Sequence, residues 1–138
     1  MKRISFKGII LALLLTLALD TIAGVTMFVS MGGSFLRRGM NQQQMSDAIA
    51  TVTLSTDFLL GSILFGTLAT IVGGYVAARI AKKEPYLNAG MIGALGFVLG
   101  VLTANYNPLW FNVVGLGLVL PAALLGGHLA RSRIERSA

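Results

Sequence analysis

LLGSILFGTLATIVGGYVAARIA (59–81), KKEP (82–85) and YLNAGMIGALGFVLGVLTA (86–104) form two glycine-rich apolar runs around a short basic turn. Each run is close to the roughly 20 residues that an α-helix needs to cross the hydrocarbon core of a bilayer. Pro85 disfavours helical backbone at Glu84 and so ends the first run. A connection this short returns the second helix beside the first. The stretch therefore predicts a membrane-spanning helical hairpin.

Its small residues are periodic. Ser62, Gly66, Thr70, Gly74 and Ala78 recur every four positions, and Ala69, Gly73, Ala77 and Ala81 form the adjacent ridge. In the second run Ala89, Gly93, Gly96, Gly100 and Ala104 repeat the device. Small side chains at this spacing let helix backbones approach closely where lipid removes the hydrophobic drive for association. Gly66, Gly73, Gly74, Ala77, Gly93, Gly96 and Gly100 are thus expected to be packing positions, with the two rows as mates.

Outward from the hairpin, the 138 residues have room for one transmembrane domain. An apolar run follows Lys2, Arg3 and Lys7 and continues past Asp20, giving a span over about 8–31. It is read as an uncleaved helix, with a signal peptide cut after Ala23 as the alternative. Residues 32–46 are polar and form the extramembrane loop, with Arg37 and Arg38 inside it. Ser46 followed by Asp47 reads as a helix start, so the second helix is expected over about 47–82 and the third over about 87–104. Asn107 is placed as a cap and Pro108 as the first residue of a fourth helix, about 108–130. Pro121 lies inside that helix and is expected to kink it.

Composition agrees with a bilayer as solvent: 55% of residues are hydrophobic and 12% charged, against about a quarter charged in soluble domains. The formal charge of +6 has no aromatic-interleaved basic patch beside it, so nucleic acid is not an expected partner. Lys2, Arg3, Lys7, Arg79, Lys82, Lys83, Arg131, Arg133 and Arg136 make nine of the eleven Lys and Arg residues, and all nine fall on one side of a four-span layout. That asymmetry predicts cytoplasmic termini and contact with anionic lipid headgroups. The fold class expected is all-α, an integral membrane four-helix bundle.

The absence of cysteine removes disulfides and thiolate chemistry, and a single His excludes a multi-histidine metal site. No motif implies a cofactor. Asp20, deep in the first span, is the sharpest polar candidate, since an intramembrane carboxylate marks a functional site or a packing lock hydrogen-bonded to a neighbour such as Thr21. Asp57 is a helix-start charge or the second member of a carboxylate pair. Arg37 and Arg38 are loop candidates for anion binding.

At Gly73-Gly74-Tyr75-Val76-Ala77-Ala78-Arg79-Ile80-Ala81, followed by the basic turn and Gly90 through Gly100, the chain resembles small bacterial inner-membrane proteins with four helices and no assigned function. The resemblance covers the second and third spans, and implies location in the inner membrane and topology without activity. The first expectation for function is a non-enzymatic interaction protein or accessory subunit of a membrane assembly, as a homo-oligomer or with another membrane protein. The second is a small oligomeric transporter or channel, proton- or cation-coupled through Asp20. An enzyme acting on lipid through Asp57 and the loop arginines is the third.

Overall fold

A computed structural model describes residues 4–32, 39–82 and 84–136. These residues are helical almost throughout, with no strand among them: α1 (Phe6–Gly32), α2 (Gln42–Thr53), α3 (Thr56–Ala81), α4 (Pro85–Leu102) and α5 (Leu109–Arg136), with a 3-10 turn at Ala104–Tyr106. Of these, α1, α3, α4 and α5 are long and apolar enough to cross a membrane. Their outer faces are covered with exposed Leu, Val, Ile and Phe, as lipid contact requires.

Where one helix is expected over 47–82, the chain forms two. The first begins a turn early. Asn41 accepts a hydrogen bond at Oδ1 from the Gln44 amide at 2.8 Å, while Gln44 Oε1 accepts from the Asn41 amide at 3.1 Å. This reciprocal cap turns part of the expected loop into α2. Ser55 then separates the two helices. Its hydroxyl donates to the Val52 carbonyl at 2.7 Å and accepts from the Phe58 amide at 3.3 Å, ending α2 and starting α3. Val52, buried on α2, packs against Gly32 at the end of α1.

At the far end of the chain, α5 starts one residue later than expected. The Pro108 carbonyl takes the first helical bond, from Asn112, and the helix continues past 130 to Arg136 with Pro121 inside it. The α4–α5 connection is held by Asn112, whose Nδ2 donates to the carbonyls of Ala104 at 2.8 Å and Asn107 at 3.3 Å.

The two rows meet each other only in part: Ala78 and Ala89 share a buried cluster with Ala130, and Gly73 faces Ile92, but most of the glycines face α5. Gly74 on α3 and Gly93, Gly96 and Gly100 on α4 turn toward α5, and α3 packs more extensively on α5 than on any other helix. A Cβ on Gly74 would overlap the Ala123 carbonyl, and one on Gly126 would overlap the Ile71 carbonyl and lie 2.7 Å from the Tyr75 nitrogen. On α4, a Cβ on Gly93 would meet Ala123 and Leu120, one on Gly96 would meet Val119, and one on Gly100 would meet Leu116, all on α5. Spacing of four specifies close approach without naming the partner, and α5 carries the same spacing at Ala122, Gly126 and Ala130. Gly73 faces α1 and α4, against Thr16 and Ile92.

The end of the bundle that carries the 82–84 connection is closed. Ile9, Ala12, Ala77 and Ile92 form a buried cluster there, and Ala78, Ala89 and Ala130 form a second. Lys82 and Glu84 both take left-handed backbone, φ 57° and 48°, as a tight reversal before a proline demands. Asn88, fully buried, secures this reversal: its Nδ2 donates to the Glu84 carbonyl at 3.0 Å, and its Oδ1 accepts from the Ser5 amide at 2.9 Å. A buried amide is costly unless bonded in this way, so Asn88 clasps the chain preceding α1 to the α3–α4 turn.

Candidate functional site

At 1.5 Å per residue α1 is about 40 Å long, and Asp20 lies about 21 Å from its first residue, near the middle. Asp20 lines a cavity of about 330 Å³ bounded by α1, α3, α4 and α5. The cavity exists because α1 leans on α3 and meets α4 over a small area only. That contact is at the closed end, where Ile9 and Ala12 pack with Ile92. Away from it the space runs past Asp20 and Ser62 to Thr103 and Asn107, at the α4–α5 connection. The buried cluster bounds the cavity at one end, while Leu17, Asp20, Leu99 and Thr103 of its lining are themselves exposed, so it opens along its side between α1 and α4 as well as toward the α4–α5 connection.

The volume is that of roughly ten water molecules at about 30 Å³ each. Its walls are mostly aliphatic, with polar groups from three of the long helices and the α4–α5 connection: Thr16 and Asp20 on α1, Ser62, Thr67 and Thr70 on α3, Thr103 and Asn107 in the connection, and Asn112 on α5. Most of the donors among them are already used. The hydroxyls of Thr16, Ser62, Thr70 and Thr103 donate to the carbonyls of Ala12, Phe58, Gly66 and Leu99 at 2.8, 2.8, 2.8 and 3.1 Å. Such back-bonding is the usual way for hydroxyls to be satisfied inside an apolar helix. The Asn112 amide is spent on the two carbonyls of the turn. What these spent groups have left to offer is oxygen lone pairs.

Asp20 forms no ion pair and receives no hydrogen bond among the described residues. Thr21, its expected local partner, gives its hydroxyl to the Leu17 carbonyl at 2.7 Å instead. The carboxylate is therefore not tied down as a packing lock. Gly66, expected in a packing ridge, faces the cavity: the nearest atom to a Cβ built there is Asp20 Oδ1 at 3.8 Å. Its missing side chain leaves room around the carboxylate instead of seating a helix.

Asp57 does not join Asp20. It sits exposed in the first turn of α3, where a negative charge suits the helix N-terminus. Gly66, which faces Asp20, is nine positions further along, about 13 Å. Arg37 and Arg38 lie outside the described residues. No group of three His, Asp or Glu side chains comes together among the described residues. His128 lies at the closed end, its Nδ1 2.8 Å from the Tyr86 hydroxyl, with Arg131 over the same Tyr86 ring.

Asp20 was visible in the sequence as a charge in an apolar span. Ser62 and Thr70 stood out only as small residues of a packing row, and Thr16, Thr103 and Asn112 not at all, because they are scattered along the chain and meet only in the folded bundle. The one available signal was that each is a polar group at membrane depth, which must find a partner or a cavity. No protein-family model matches the chain, and no curated protein or solved structure matches it.

Proposed function

We propose that this protein is a small multi-pass membrane transporter or channel, proton- or cation-coupled, working through Asp20. The observation that carries the reading is the placement of one unpaired carboxylate, midway along a membrane-length helix, in a largely apolar cavity that also gathers hydroxyls and amides from three helices and the α4–α5 connection. Ionisable groups at membrane depth are costly and serve pathways for ions and solutes when they face a cavity. A pocket with a few convergent polar groups is the natural seat of binding.

Both termini and the α3–α4 connection are assigned to the cytoplasmic side of a bacterial inner membrane, on the strength of the nine Lys and Arg residues clustered there. The cavity then faces outward. Purified protein in vesicles should dissipate an imposed proton or monovalent-cation gradient faster than protein-free vesicles do. Equal rates would remove the reading.

One observation favours the alternative, a non-enzymatic interaction protein or accessory subunit. Gly24 on α1 and Gly117 on α5 have no atom within 4 Å of a built Cβ, so bare backbone is available there to another helix. Defined complexes with a second membrane protein, together with absent flux, would select it.

A further inference from the structure

We infer that the Asp20 cavity takes a small organic ammonium ion, a protonated primary or secondary amine with a short apolar body. The inference rests on Asp20 and its cavity as the functional site, and adds the chemistry of the ligand.

The lining is one-sided in its hydrogen bonding. Thr16, Ser62, Thr70 and Thr103 have given their hydroxyl protons to helix carbonyls, and Asn112 its amide protons to the turn. These five groups and the Asp20 carboxylate keep oxygen lone pairs to offer; of the two other polar residues in the lining, Asn107 gives its Nδ2 to the Thr103 carbonyl at 3.5 Å, and Thr67 alone keeps a hydroxyl proton unspent among the described residues. A matching ligand supplies N–H donors and positive charge. An anion meets the carboxylate and a lining of acceptors, with the Thr67 hydroxyl as its one unspent donor among the described residues. A neutral alcohol satisfies an acceptor or two but leaves the carboxylate unpaired.

Size and wall chemistry select among cations. Calcium takes six to eight oxygen ligands including carboxylates, zinc takes His, Cys or carboxylate ligands, and Asp20 is the sole carboxylate of a lining that holds neither His nor Cys. A bare alkali ion fills a small part of about 330 Å³. The remaining wall is aliphatic and aromatic, including Leu13, Leu17, Leu99, Phe111 and Leu116. Covering it with a hydrocarbon body removes apolar surface from water. An alkylammonium places its charge-assisted N–H bonds on Asp20 and the hydroxyl oxygens and its carbons against those walls.

The test is calorimetric titration of the detergent-solubilised full chain with n-butylammonium chloride, and with 1-butanol, sodium butyrate and sodium chloride as matched probes. Butylammonium should bind at least tenfold more tightly than butanol or butyrate. Asp20→Asn should bring its affinity down at least tenfold, to the level of butanol. Thr70→Val, which keeps the shape and removes one acceptor, should weaken butylammonium several-fold and more than it weakens butanol, a readout that a misfolded Asp20 variant cannot imitate. Butylammonium binding no tighter than butanol, or unaffected by both substitutions, overturns the inference. Sodium binding in preference to butylammonium also overturns it, while gradient dissipation that depends on Asp20 leaves the transport reading standing. Absence of both binding and flux removes the two together.

Discussion

Asp20→Asn should reduce cation-coupled flux in reconstituted vesicles to the rate of protein-free vesicles, with the protein still folded. The substitution keeps the shape of the side chain and removes the one charge in the cavity. No hydrogen bond or ion pair to Asp20 exists among the described residues, so no partner is orphaned and stability should hold. Gly66→Leu is the independent arm. A Cβ at position 66 has no neighbour nearer than 3.8 Å, so leucine fits, with its branches in the space beside Asp20. Flux should again be lost and thermal stability kept. Had Gly66 been a helix-packing glycine, as its spacing predicts, the same leucine would break the bundle instead. Thermal melting of the purified variants, run beside the flux assay, separates the two outcomes.

Gly126→Ala should cost about 1–3 kcal/mol or more, the range for overpacking a well-filled interior. The added methyl runs into the backbone of α3 at Ile71 and Tyr75, and a helix backbone cannot swing aside as a leucine tip can. Gly74→Ala should behave alike, against the Ala123 carbonyl. Gly24→Ala is the contrast. With open space around it, the methyl should be neutral, or stabilising by up to about 1 kcal/mol through helix propensity. Stability can be read from denaturant titration in mild detergent, following Trp110 fluorescence. Equal effects at 126 and 24 would mean that α3 and α5 do not meet through their glycines.

Much of the architecture is written in hydropathy. The four long helices follow from apolar runs of spanning length, bounded by Pro85 and by the Asn107-Pro108 turn. The break at Ser55 was missed because it lies among Thr51, Thr53 and Thr56, where a hydroxyl that caps looks like one that only decorates a helix. Asn88 was missed because one amide between Leu87 and Ala89 hardly changes the hydropathy of its span, although it holds Ser5 and Glu84 together. The partner of the glycine rows was not legible either. Three helices carry the same small-residue spacing, and only tertiary structure decides that most of the row glycines on α3 and α4 turn to α5. Asp20 stood out alone, whereas its surroundings are assembled from four helices far apart in sequence.

Because the chain contains no cysteine, single-cysteine variants report accessibility without background. The measurement that bears most directly on the account is labelling of Ser62→Cys, Thr103→Cys, Lys82→Cys and Leu64→Cys by a membrane-impermeant thiol reagent, applied to each face of oriented vesicles. Reaction is expected at 62 and 103 from the face opposite to the one that labels 82, and none at 64, on the exposed apolar face of α3. Labelling of 62 from the same face as 82, or silence at 62 equal to that at 64, would contradict a cavity around Asp20 that water enters from the outer face.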